Sequence, residues 1–205
     1  MTRPIKTKLA NIKRRAILDA AMQEFEAKGP DKASLRAIAS TAGMTTGAIY
    51  SMFGGKDDLY SALLLESLER LEAYVADQVA QAQTPEAALR ASVMGFFTYY
   101  DARPFEVQLG MYSFSGLRHG SLGPERDETL NNALLATLNI IADTIAQAAP
   151  DLPPEMVTAE RNAIFSSLFG ALTLSHTGRA ISIGTTANTV METHVTSLLE
   201  RLQTS

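Results

Sequence analysis

A chain of 205 residues, 46% hydrophobic and 20% charged, holds enough apolar material for one sizeable core or for a small head on a larger body. It has no cysteine, which excludes disulfides and thiolate metal sites, and His119, His176 and His194 lack metal-ligand spacing, so neither a metal nor another cofactor is expected. The net charge of −4 is unevenly placed: residues 1–56 carry ten basic and four acidic residues, net +6, while the remainder carries eight and eighteen, net −10. That division suits a polyanion-binding head on a body with other work.

Residues 1–10 have no apolar periodicity and read as a flexible basic arm, in which Arg3, Lys6 and Lys8 are candidates for phosphate or minor-groove contact. From Asn11 the pattern turns helical, with Ile17, Leu18, Ala21, Met22 and Phe25 on one stripe and Gly29-Pro30 as a stop. Ser34 is placed to cap a second helix with Leu35, Ile38, Ala39 and Ala42 on its inner side. Gly43 can adopt the positive φ of a tight turn, and Thr45 can cap a third short helix whose Ile49 and Phe53 face inward. Thr45, Thr46, Gly47, Ala48, Tyr50 and Ser51 are then left outward. Small and hydroxyl-bearing side chains on such a face suit a DNA major groove, so this is read as a recognition helix in a helix-turn-helix.

The run Ile38-Ala39-x-x-Ala42-Gly43-Met44-Thr45-Thr46-Gly47-Ala48-Ile49-Tyr50-x-x-Phe53-x-x-Lys56-x-x-Leu59 resembles the N-terminal signature of the TetR family of bacterial transcriptional regulators, and Ile17 to Ala21 with Phe25 and Gly29 fit the helix before it. The resemblance covers roughly a quarter of the chain and its spacing is specific. It implies phosphate contacts from Ser34, Thr45, Tyr50 and Lys56 and base-edge contacts from Thr46, Gly47 and Ala48. With Arg36 and Ser51 these form the candidate DNA-binding set. Two positions depart from the family pattern: Met52 stands where a donor such as His is common, and Thr46 where Lys is common. Both remove donors or charge from the DNA face and shift weight to the basic arm and to Lys13, Arg14 and Arg15.

Gly54-Gly55 ends the recognition helix, and Leu64, Leu68, Leu71, Val75 and Val79 predict a long helix from about Lys56 to Ala82. Thr84-Pro85 opens the next, carrying Leu89, Val93, Phe96, Phe97 and Tyr100, and Pro104 bounds it. A short helix is expected from Phe105 to about Tyr112. Seven of the fourteen aromatic residues fall between Phe96 and Phe114, which suggests the wall of an apolar cavity. Phe96, Phe97, Tyr100, Met111, Tyr112 and His176 are the candidate ligand-binding residues, although core packing explains any one of them equally well.

Residues 113–124 read as a loop. A long amphipathic helix follows with Leu130, Leu134, Leu138, Ile141 and Ile145, and Pro153-Pro154 opens another. The latter is apolar on nearly every side from Ala163 to Leu174, too short a run to span a bilayer but suited to cover by another chain. With the last helix, about Thr185 to Leu202, it is the expected interface of a homodimer, through Phe165, Leu168, Phe169, Leu172, Met191, Val195, Leu198 and Leu202.

The expectation is an all-α protein of about nine helices, with a three-helix DNA-binding head at 1–56 joined by a long helix to a ligand-binding and dimerisation body at 57–205. It would act in the cytoplasm, without membrane contact, as a repressor that binds a pseudo-palindromic double-stranded DNA operator as a dimer and is released by a small, mainly apolar or aromatic effector. The alternatives are a ligand-independent or architectural DNA-binding protein and a small helical enzyme. The chain has no nucleophile elbow and no Walker glycines, and an enzyme is not expected.

Overall fold

The computed structural model describes residues 3–114 and 122–203, and among these it is all-α, with ten helices and no strand. They are α1 (Arg3–Lys32), α2 (Leu35–Thr41), α3 (Thr46–Tyr50), α4 (Lys56–Ala80), α5 (Pro85–Asp101), α6 (Pro104–Phe114), α7 (Pro124–Ala148), α8 (Pro154–His176), α9 (Arg179–Ser182) and α10 (Ala187–Gln203).

Local chemistry sets most of these boundaries. Gly29, at φ 76°, interrupts α1 just before Pro30. The Ser34 and Thr45 hydroxyls accept the amides of Ala37 and Ala48 at 3.5 and 3.2 Å, and Thr84 does the same for Ala87 at 3.2 Å. Gly43, at φ 65°, turns the chain between α2 and α3, while the Met44 amide donates to the Ala39 carbonyl at 2.8 Å.

Three sequence expectations need correction. The flexible basic arm expected over residues 1–10 is helical from Arg3, as the start of α1. Ala, Lys and Leu in Lys8-Leu9-Ala10 are good helix formers, and the absence of apolar periodicity removes a burial signal without opposing helix formation. The tenth helix is α9, a single turn that begins after Gly178 at φ 69° and is too short to carry a periodic pattern. The expected loop at 113–124 overlaps the end of α6, and residues 115–121 lie outside the described part.

Two apolar cores share α4. One joins Ile17, Leu18, Ala21 and Phe25 of α1 to Ile38, Ile49 and Phe53, and continues along α4 through Leu59, Tyr60, Leu63, Leu64 and Leu68. The head core therefore does not close at Lys56; it also takes in Leu109 of α6 and Leu130 of α7. The other core gathers Leu71 and Val75 with side chains of α5, α7, α8 and α10. At 25 residues, α4 is a rod of roughly 37 Å whose first half packs in one core and whose second half packs in the other.

Candidate DNA-reading head and its links to the body

The outward face of α3 has little to bury. Thr45, Thr46, Gly47 and Ser51 are exposed, Ala48 is half-buried, and the Tyr50 ring is 59% exposed. Ile49, with no exposed surface, and Phe53 lie beneath that face and pin it to the head core. Of the hydroxyls, Thr45 is occupied as the cap, and Ser51 donates to the Ala48 carbonyl at 2.8 Å. Ser34 and Arg36, at the start of α2, are also exposed. The Arg14 guanidinium lies 4.8 Å from the centre of the Phe53 ring, which places a cation of α1 beside the exit of α3. An exposed, small and polar helix face next to cations has the shape and charge to meet a nucleic acid groove.

Lys56 has a different setting from the free cation expected of a phosphate contact. Its ammonium donates to the carbonyls of Pro30 at 3.0 Å and Asp31 at 2.9 Å, so it ties the start of α4 to the end of α1. Lys56→Ala is expected to lower the stability of the DNA-free protein by about 1 kcal/mol, because two carbonyls lose a charged donor. Thermal melting without DNA checks this; an unchanged midpoint would leave the ammonium as a DNA contact alone.

Asp58, in the first turn of α4, joins the head to the body. One carboxylate oxygen accepts the Gly54 amide at 2.5 Å and the other accepts Arg126 Nε of α7 at 2.5 Å. The Gly54 amide holds its pKa below the ordinary carboxylate value, Arg126 adds to that effect, and partial burial opposes both. A depressed folded-state pKa stabilises the fold above the unfolded value near 4, and this stabilisation is lost as pH falls through the folded value. Two residues on, the buried Tyr60 hydroxyl donates to the Leu109 carbonyl of α6.

The candidate ligand residues come together, packed side by side. Phe96 meets Tyr100 edge-on at 5.4 Å and Phe165 at 6.4 Å; Phe97 and Tyr100 are buried. Met111 is half-buried against the same core, and His176 Nε2 lies 3.2 Å from the Tyr100 carbonyl, to which it can only donate. The Tyr112 side chain lies outside the described residues. Beside the cluster is a polar knot absent from the sequence reading. Ser67, fully buried, donates to Glu106 at 2.5 Å and lies 3.3 Å from the Tyr100 hydroxyl. Arg70 and Tyr99 also donate to the Glu106 carboxylate, at 3.2 and 3.3 Å. Burial pushes the Tyr99 and Tyr100 phenols up. Ser67 was detectable, since it is the one polar residue on the stripe between Leu64 and Leu71.

Most of the expected dimer residues face the other way. Leu168, Leu172, Met191, Val195, Leu198 and Leu202 are buried in the chain's own body core, and Phe165 packs there against Phe96. The six buried residues cannot form an outer surface. Phe165 and Phe169 are the two half-buried residues of that set, and Phe169 is the one not packed against the body core. An apolar helix does not reveal which of its sides meets its own chain, and here α5, α7 and α10 take the larger side chains. The exposed side of α8 carries Met156, Ala159, Asn162, Ala163, Ser166 and Gly170.

A helical body with a helix-turn-helix at its N-terminus defines a class of DNA-binding regulators. The model of the bacterial regulatory proteins of the tetR family matches residues 17–63. Residues 17–63 of this chain are thus a DNA-binding head of the tetR-family type. An HTH-type transcriptional repressor of Mycobacterium tuberculosis is 44% identical over 61 residues, which is 30% of this chain and 33% of that protein. The curated relatives are matched over 28% to 56% of their own length. Among solved structures, a regulatory protein of the tetR family from Rhodococcus RHA1 has a TM-score of 0.71 at 22% identity, covering 93% of this chain and 96% of the other. The regulator FadR from Bacillus subtilis, solved with stearoyl-CoA, has a TM-score of 0.66 at 19% identity, covering 87% and 96%. At these identities the structures establish the fold alone. Among the described residues no helix is long and apolar enough to cross a membrane.

Proposed function

We propose that this chain is a ligand-responsive transcriptional repressor that acts in the cytoplasm, with residues 1–56 reading a pseudo-palindromic operator and residues 57–205 binding an effector and a second copy. The observation that carries the reading is the exposed face of α3 from Thr45 to Ser51, held from beneath by Ile49 and Phe53. Two such faces in a two-fold dimer would enter successive major grooves about 34–36 Å apart. The second copy would sit on the exposed side of α8, where Ser166 and Gly170 permit close helix approach and Met156 and Phe169 supply apolar area.

The effector proposed is small and mainly apolar, entering beside Phe97, Tyr100 and Met111, next to the polar knot on Glu106. Because a neighbour in fold was solved with stearoyl-CoA, long-chain acyl-CoA is the first compound to test. Such a ligand releases DNA only if it binds the DNA-incompetent arrangement more tightly.

Selection from random duplexes at modest salt should return a palindromic site. Thr46→Ala should then flatten base preference at one position per half-site, at about 1–3 kcal/mol for a specific contact. Recovery of no site would overturn the DNA reading. The close packing of Phe96, Tyr100 and Phe165 favours, as the second reading, a regulator that responds to no ligand. A melting midpoint unmoved by saturating stearoyl-CoA and by a library of apolar compounds would support it.

A further inference from the structure

We propose that Asp58 and Arg126 are positioning residues for base reading, a tie through which α7 of the body sets the angle of α3 and thereby the half-site spacing that the dimer accepts. The inference rests on the DNA-reading function proposed above and adds to it two residues that do not lie on the recognition face.

The geometry begins at Gly54, immediately beyond Phe53, whose side chain anchors α3 in the head core. The Gly54 amide donates to Asp58 Oδ2, and a Cβ built on Gly54 would stand 2.7 Å from that same oxygen. A side chain here would push the carboxylate away, so Gly54 is the residue that lets Asp58 seat against the exit of α3. The second oxygen of Asp58 is bound by the Arg126 guanidinium. Arg126 is itself fixed, because its other arm donates to the Leu122 carbonyl at 2.8 Å, and the Leu122 amide donates to Asp127 at 3.3 Å. One carboxylate therefore joins three pieces of chain: the turn after α3, the first turn of α4 and the first turn of α7.

An ion pair at this exposure contributes little to stability by itself, since the Arg126 and Asp58 side chains are 42% and 28% exposed. Its direction matters more than its strength. Charge-assisted hydrogen bonds from a planar guanidinium hold both angle and distance, whereas the surrounding contacts of Leu59, Leu63 and Leu130 are apolar and permit sliding. The Tyr60 hydroxyl on the Leu109 carbonyl supplies a second directional bond on the same turn of α4. Two directional bonds from neighbouring residues, one to α6 and one to α7, define an orientation where either alone would leave a pivot. In a two-fold dimer, a rotation of the head about such a pivot changes the distance between the two reading faces.

The test uses the full-length protein and a duplex selected by it, with the central spacer lengthened or shortened by one or two base pairs. The wild type is expected to prefer one spacing by about tenfold or more. Arg126→Gln should compress that preference to about threefold or less while binding to an isolated half-site stays within about twofold, and Arg126→Lys should recover part of it. The double variant Asp58→Asn/Arg126→Gln should match Arg126→Gln, because both remove the same tie. A spacing profile of Arg126→Gln identical to wild type overturns the inference. So does a proportional loss on every duplex including the half-site, which would make Arg126 a phosphate contact or a fold staple. If the wild type selects no duplex, the DNA-reading function falls and this inference falls with it; a selected duplex with an unaltered profile removes the inference alone.

Discussion

Ile49→Ala is expected to abolish sequence-specific DNA binding while the body stays folded. Ile49 has no exposed surface and is the buried residue of α3, a helix of only five residues. A helix of that length has no stability of its own in water, so its conformation is maintained by the side chain that anchors it. Truncating a fully buried Ile to Ala costs about 2–5 kcal/mol, and here the loss falls on the element that carries Thr45, Thr46 and Tyr50. The body core, built from α5, α7, α8, α10 and the distal half of α4, contains none of the residues around Ile49. Circular dichroism should retain most of its helical signal with an added low-temperature transition, while binding to a selected duplex falls to the level of unrelated DNA. Wild-type affinity in this variant would show that α3 is held by contacts other than Ile49.

Glu106→Ala should lower the stability of the body. Its carboxylate accepts from Ser67, Arg70 and Tyr99, and the Ser67 hydroxyl is fully buried. Removing the acceptor leaves a buried hydroxyl and a guanidinium without their shared partner, at about 2–4 kcal/mol. For a chain of this size that corresponds to a fall in melting midpoint of roughly 4–16 °C. Glu106→Gln should cost less, because an amide oxygen still accepts. A second readout is functional: Ser67 lies on α4 and Glu106 on α6, so the variant should also weaken any effect of an apolar effector on DNA affinity. Equal midpoints for Glu106→Ala and wild type would mean that water replaces the carboxylate without loss.

The contrast between these sites explains what could be read in advance. The head is a chain of local signals. Ser34, Gly43 and Thr45 act within a few residues of where they stand, and the inward spacing of Ile38, Ile49 and Phe53 follows from helical period. The body was legible as elements and not as an arrangement. Its helix starts at Thr84-Pro85 and Pro153-Pro154 were marked by their residues, but the partner of each apolar side was not. Leu168 and Val195 are as apolar as an interface residue would be, and only the packing of α8 and α10 against α5 and α7 places them inside. The same holds for Lys56: its charge and position suggested phosphate, and the carbonyls of Pro30 and Asp31 became its partners through folding of α1 against α4.

By itself, then, the sequence of this protein determined an all-helical chain, a basic N-terminal head with a helix-turn-helix, the exposed face of α3 and the likeness of that head to a family, because all of these depend on composition and on the spacing of residues near one another in the chain. Tertiary structure alone decided that Asp58 meets Arg126 across 68 positions, that Ser67 meets Glu106 across 39, and that most of the expected dimer residues are core. Hydrogen bonds and ion pairs of that kind act over a few ångströms and leave no periodic trace, so they are visible only once α4, α6 and α7 have been brought together.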